Sequence, residues 1–146
     1  MEIPHNALVV VMDGKKLLLL QNDGTAASAH LTVLAKAEQD TPPSREIASD
    51  RQGRAFESSG SRRSSYDEAD FHQLAEDRFA ADAAAMLEKL ALAGDFERLI
   101  VTAPARTLGE LRDHYHGEVA KRIVGEIDKD FTKHTLPEIA RLISES

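Results

Sequence analysis

The sequence predicts an α/β fold, a mixed five-stranded sheet with helices packed on it, in the order β-β-β-α-β-α-β-α. Three observations carry this. Two short apolar runs flank Asp13-Gly14. A long stretch between Phe71 and Ala93 repeats apolar residues at three- and four-residue steps. Beyond it, two further β-rich segments are each followed by a helix with its own start signal. Hairpin-linked strands followed by strands with helical crossovers give a mixed sheet.

The elements follow in order. Ala7–Met12 (ALVVVM) and Lys16–Gln21 (KLLLLQ) read as strands, because a six-residue run is too short for a stable helix and the usual length of a strand. Asp-Gly between them signals a hairpin, in which glycine is expected to supply a positive φ. His30–Lys36 alternates loosely and makes a third strand. A loop is expected over about 37–64, longer than most connections in compact domains. Ser65-Tyr66-Asp67-Glu68 fits a capping box, and the acids there suit the positive end of a helix dipole. Behind it Phe71, Ala75, Phe79, Ala83, Met86, Leu90 and Ala93 form one stripe of a helix of roughly 26 residues. Gly94 closes it.

Phe96–Ala103 (FERLIVTA) has the continuous apolar character of a strand covered on both faces, and Pro104 stops it. Thr107–His116 reads as a short helix ended by Gly117, and Ala120–Asp128 as the last strand. Thr135-Leu136-Pro137-Glu138 is a second capping box with proline in the first turn, opening a helix over Pro137–Ile143. No internal repeat is visible, and the 146 residues are read as one domain.

Composition narrows the function. Hydrophobic residues make up 42% and charged residues 29%, the balance of a folded globular chain. The absence of cysteine removes disulfides, thiolate metal sites and a cysteine nucleophile. The apolar N-terminal runs are broken by Asp13-Gly14-Lys15-Lys16, so neither a signal peptide nor a spanning helix of about 20 apolar residues is expected. A cytoplasmic protein without membrane contact follows. A net charge of −7 argues against a uniformly positive nucleic-acid coat. Yet Ser44–Tyr66 carries five arginines against three acids, a local +2 that leaves −9 for the remainder.

Within it, Ser49–Ser65 reads SDRQGRAFESSGSRRSS. Two readings stand side by side: a solvated linker, or an anion-binding loop whose guanidinium forks, serine hydroxyls and glycine-exposed amides meet phosphate. The residues concerned are Arg45, Ser49, Asp50, Arg51, Gln52, Gly53, Arg54, Ser58, Arg62 and Arg63. Aromatic side chains for base stacking are limited to Phe56 and Tyr66, so no sequence-specific reading of DNA or RNA bases is expected.

Phosphate-cradling, dinucleotide-binding and nucleophile-turn motifs are all absent, and no catalytic constellation is recognisable. His114, His116 and Glu118 invite a metal reading, but residues two apart on a helix point to different sides. Asp128 and Asp130, alternating on a strand, either converge on Mg²⁺ or a proton-transfer site, as in a metal-dependent hydrolase, or accept backbone N–H bonds in a turn. No further ligand is evident, so neither a metal nor a cofactor is expected.

Several blocks carry a resemblance. Asp13-Gly14 after its strand, Ser49–Arg54 with Phe56 and Ser58, Phe96–Arg106, and Glu126–His134 resemble, in this order, the bacterial "host attachment" proteins. That family name implies a requirement for attachment to host cells. The family is in turn similar to the middle domain of archaeal and eukaryotic class-1 release factors and of Pelota. This implies an RNase H-like sheet with the element order above, and a ribosome or tRNA as partner. Those factors carry Gly-Gly-Gln in the loop between the third strand and the long helix. Here the corresponding loop has only Gln52-Gly53, in reversed order, so peptidyl-tRNA hydrolysis is not expected. The resemblance also marks Asp128, Lys129, Asp130, Thr132 and Lys133 as a shared motif without assigning them chemistry.

Overall fold

The computed structural model describes residues 1–39 and 60–146, with side chains described everywhere in that range except 60–70. Five strands form one mixed sheet: β1 (Leu8–Met12), β2 (Lys16–Asn22), β3 (Leu31–Glu38), β4 (Leu99–Thr102) and β5 (Ile123–Ile127), in the spatial order β3-β2-β1-β4-β5. β1–β2 and β2–β3 pair antiparallel, whereas β1–β4 and β4–β5 pair parallel. The expected mixed sheet is thus observed.

The β1–β2 hairpin turns at Asp13-Gly14 as expected, with Met12 opposite Leu17. Its cause differs from the expectation, because Gly14 has no positive φ; among the described residues only Asn6 and Gly94 do. The Asp13 carboxylate does the turning. Its Oδ1 accepts from the backbone N–H of Lys15 at 2.8 Å and of Lys16 at 2.7 Å. Gly14 also lies under the Glu76 side chain of the long helix: a Cβ there would stand 2.5 Å from Oε1, and that flexible side chain can swing aside.

That helix, α1 (Gly60–Leu92), has 33 residues and starts five residues before Ser65. Ser65-x-x-Glu68 therefore lies inside it rather than at its start. A capping box is a local preference of about 1 kcal/mol, whereas lengthening an existing helix needs no new nucleus. β3 also runs on to Glu38, so both ends of the expected loop over 37–64 are regular structure, and its remainder, 40–59, lies outside the described residues. At the far end Gly94 does take a positive φ (74°), and Asp95 N–H to Leu90 O with Gly94 N–H to Ala91 O closes a Schellman motif.

Two cores sandwich the sheet. On one face Leu8, Val10, Met12, Leu17, Leu19, Leu99 and Val101 meet the α1 stripe Phe79, Ala80, Ala83, Ala84, Leu87 and Ala91. Repeated alanines let the helix backbone lie close to the strands, and Phe79 and Leu87 fill the remaining depth. Leu108 and Leu111 of α2 (Ala105–His114) complete that layer. On the other face Val9, Val11, Leu20 and Ile100 pack against Ile139 and Ile143 of α4 (Leu136–Ser144), with Ile3 and Phe131. The expected capping box of α4 is present. Glu138 N–H donates to Thr135 Oγ1 and Thr135 N–H to Glu138 Oε1, with Pro137 in the first turn.

One element escaped the sequence reading. α2 ends at His114, with Tyr115 extended after it, and Gly117 opens a one-turn helix, α3 (Gly117–Ala120). This delays β5 to Ile123. Gly117 was expected to end a helix, but His116 makes the local choice by accepting the Glu118 N–H at 3.0 Å through Nδ1. Arg122 then ties α3 to the start of β4, donating to Glu118 O and Oε1 and to Phe96 O while lying 5.8 Å over the Phe96 ring.

Burial pushes the Tyr115 phenol well above its ordinary pKa, and the nearby Glu126 carboxylate adds to the shift. The folded chain therefore keeps this proton where the unfolded chain gives it up. The associated stability is full below about pH 10 and is lost as pH rises beyond it. Thermal unfolding between pH 9 and 11 is expected to show a steeper loss in the wild type than in Tyr115→Phe. Equal slopes would sink this assignment. No helix among the described residues is long and apolar enough to cross a membrane.

Candidate functional site at the carboxyl edge of the sheet

The register brings one set of chain ends together. Met12 pairs with Leu17, Lys16 with Glu38, Val11 with Thr102, and Thr102 with Ile127. The Asp13–Lys16 turn, the end of β3, the Pro104–Arg106 turn and the segment after Ile127 therefore share one edge. This is the carboxyl edge of the parallel strands, where open α/β sheets place their ligands. Residues 40–59 are attached there too. Gln39 fixes their point of departure: its backbone N–H donates to Lys15 O at 2.7 Å and its Nε2 to Ala75 O of α1 at 2.9 Å. Its Oε1 is buried and accepts no hydrogen bond from the described residues.

The shared motif Asp128–Lys133 sits beside it. β5 ends at Ile127, so Asp128 and Asp130 are not on a strand and the alternation argument for convergence does not apply. Asp130 instead turns back onto its own segment. Its Oδ1 accepts from Thr132 N–H at 2.8 Å and from Thr132 Oγ1 at 2.6 Å. The same hydroxyl stands 3.3 Å from Asp13 Oδ2, which joins the β1–β2 turn to the β5–α4 turn. Thr132→Val is expected to lower stability by about 1 kcal/mol, read as a shifted denaturation midpoint. An unchanged midpoint would mean the bridge contributes nothing.

Asp128, Lys129, Asp130 and Lys133 are exposed. Among the described residues no group of three or more His, Asp or Glu is placed to hold a metal ion. His114, His116 and Glu118 are likewise dispersed. His114 approaches Glu110, His116 caps α3, and Glu118 pairs with Lys121 and Arg122, which hold its carboxyl below the usual range.

What the edge does offer is a set of cations without carboxylate partners. Lys15, Lys16, Lys36, Arg106, Lys129 and Lys133 are all exposed there, and none forms an ion pair among the described residues. Elsewhere Arg112, Lys121, Arg122 and Arg141 are each matched with a carboxylate. Arg78, Lys89 and Arg98 are also unpaired among the described residues, Lys89 and Arg98 lying toward the opposite end of the sheet. Acids stand at the edge as well: Asp13 and Asp130 accept the turn bonds above, and Glu38, Glu76 and Asp128 lie there too. Of the residues singled out in the sequence, Arg45, Ser49, Asp50, Arg51, Gln52, Gly53, Arg54 and Ser58 lie outside the described residues. Arg62 and Arg63 belong by backbone to the first turn of α1 rather than to a loop. Lys15, Lys16, Lys36 and Arg106 were missed. Their shared signal is position, since each stands within a few residues of a strand end at the same edge.

None of the curated proteins compared matches the chain. Among solved structures it is similar to an archaeal translation termination factor, aRF1, at 12% identity and a TM-score of 0.49 over 95% of this chain and 38% of that one. It is also similar to a second archaeal protein, at 14% identity and a TM-score of 0.47 over 95% of this chain and 37% of the other. The chain thus spans well under half the length of either. Residues 6–143 match the model of Bacterial archaeo-eukaryotic release factor family 12, and the chain belongs to that family.

Proposed function

We propose that this domain, acting in the cytoplasm, binds RNA or a ribosomal site through the Arg45–Arg63 segment and the basic edge, without hydrolysing peptidyl-tRNA itself. The observation that carries the reading is the convergence of six exposed, unpaired lysine and arginine side chains on the edge where that segment departs. Unpaired cations release counterions from a phosphate backbone when they engage it, which is the main source of affinity for nucleic acid. Family membership supports a role beside translation, and the absence of Gly-Gly-Gln supports a binding rather than a hydrolytic one.

Co-sedimentation with ribosomes and binding to tRNA across a salt series test it. On single strands each neutralised phosphate contributes a log–log slope of about −0.7, so replacing Arg51, Arg54, Arg62 and Arg63 with Ala is expected to remove up to about 2.8 of the slope. Unchanged affinity and slope in that variant would sink the proposal. The attachment role implied by the resemblance rests on the sequence blocks alone. It would act indirectly, through expression or regulation, and a surface-exposed pool of native protein on fractionation would favour it over the RNA reading.

A further inference from the structure

A shallow groove of about 370 Å³ lies beside the basic edge, lined by Lys16, Leu18, Lys36, Glu38 and Thr132 among others. Register explains why these side chains meet. Lys16 is opposite Glu38 and Leu18 is opposite Lys36, so all four project from the same face of β2 and β3. It is the face that carries α4, since Leu18 packs against that core. Thr132 closes the groove from the β5–α4 turn. Lys16 stands directly across from Glu38, yet neither it nor Lys36 forms an ion pair. Glu38 is equally uncommitted.

We infer that this groove holds one ribonucleotide unit of an RNA strand and gives the domain a preference for RNA over DNA. The inference rests on the RNA-binding reading above and adds a second, differently built contact to it. Two free ammonium groups on one strand pair match a phosphate or two successive phosphates. Between them the half-buried Leu18 offers an apolar floor for the ribose carbons. A carboxylate in a purely phosphate-binding groove would repel its ligand. Glu38 gains a purpose when the ligand carries a hydroxyl donor, and the 2′-hydroxyl is the donor that DNA lacks. Exposed lysines alone would give affinity without this discrimination.

The test is fluorescence anisotropy of the full chain with labelled ten-nucleotide oligouridylate and the matching oligodeoxyuridylate across a salt series. Wild type is expected to bind the ribo-oligomer several-fold more tightly. Lys16→Ala with Lys36→Ala is expected to weaken both and to cut the salt slope by about 1.4, two phosphates at about 0.7 each. Glu38→Ala is expected to leave the slope in place and remove the ribo preference. All three positions are exposed, and matched thermal unfolding of the variants confirms that the fold is kept.

Outcomes separate the two readings. If wild type binds ribosomes or tRNA but shows no preference for the ribo-oligomer, only the groove assignment falls; if it binds ribosomes, tRNA and both oligomers equally poorly, the RNA-binding function falls with it. If binding drops with the four-arginine variant while the Lys16/Lys36 and Glu38 variants keep slope and preference, only the groove assignment falls. Displacement of the oligomer by polyglutamate from wild type, at affinity equal to RNA, would assign the groove to an acidic protein partner and overturn the inference.

Discussion

Asn22→Ala is expected to lower the free energy of unfolding by about 3–5 kcal/mol, among the largest effects of any single change in the chain. Asn22 is 0% exposed and its amide is saturated. Nδ2 donates to the carbonyls of Ile3, Pro4 and Thr25, and Oδ1 accepts from the N–H groups of Gly24 and His30. One side chain thereby satisfies backbone groups on both sides of the β2–β3 connection and on the segment before β1. Removing it leaves several of these without a partner, and each buried orphan costs about 1–3 kcal/mol. Asn22→Asp separates polarity from shape: its carboxylate keeps the acceptor role but faces three carbonyl oxygens. It is expected to be as damaging at neutral pH and less so when protonated. Urea denaturation of both variants gives the answer, and a loss of less than about 1 kcal/mol in both would refute the role assigned to this residue.

The second large effect is expected at Leu87. It is 0% exposed and fills the space between the alanines of α1 and the strands beneath. Leu87→Ala is expected to cost about 2–5 kcal/mol, because the sheet and α2 hold their positions and leave a cavity. Leu87→Met, which conserves volume, is expected to cost less than about 1.5 kcal/mol. The consequence reaches the candidate site. α1 supplies Ala75, whose carbonyl holds Gln39, and Glu76, which lies over Gly14. A helix loosened at Leu87 frees the point from which the arginine-rich segment departs. RNA affinity of Leu87→Ala is therefore expected to fall together with its stability, while Leu87→Met keeps both. Full RNA affinity in a clearly destabilised Leu87→Ala would show that the stem needs no support from α1.

Much of the fold was legible because it depends on patterns that neighbours in the chain create. Alternation and short apolar runs marked β1, β2 and β3, the stripe from Ala75 to Leu90 marked α1, and Thr135 with Glu138 marked the start of α4. Gly94 was read correctly because a left-handed helix end has one dominant residue type. The errors share a different cause. The start of α1 follows from propagation of an existing helix, and α3 from a histidine cap with an arginine anchor, neither of which has a dominant residue pattern. Gly117 begins a helix because His116 caps it and Arg122 anchors it to Phe96. Of the two readings of Asp128 and Asp130, convergence assumed a strand that the register ends at Ile127, whereas at Asp130 the turn reading holds, since its carboxylate accepts the Thr132 N–H.

For function the division is similar. The sequence by itself determined that positive charge gathers in the Arg45–Arg63 segment of an acidic chain, that Gly-Gly-Gln is missing, and that the elements follow the order β-β-β-α-β-α-β-α. Those are properties of composition and adjacency, which need no coordinates. Only the tertiary structure decided that Lys15, Lys16, Lys36, Arg106, Lys129 and Lys133 stand at the same edge as that segment's stem. It also decided that Lys16 and Lys36 share a face with Glu38 and Thr132. These residues come from four separate stretches of chain, and strand pairing across up to about ninety positions brings them together. No local pattern records such a meeting, because its energy lies in the sheet and the two cores rather than in the residues that meet.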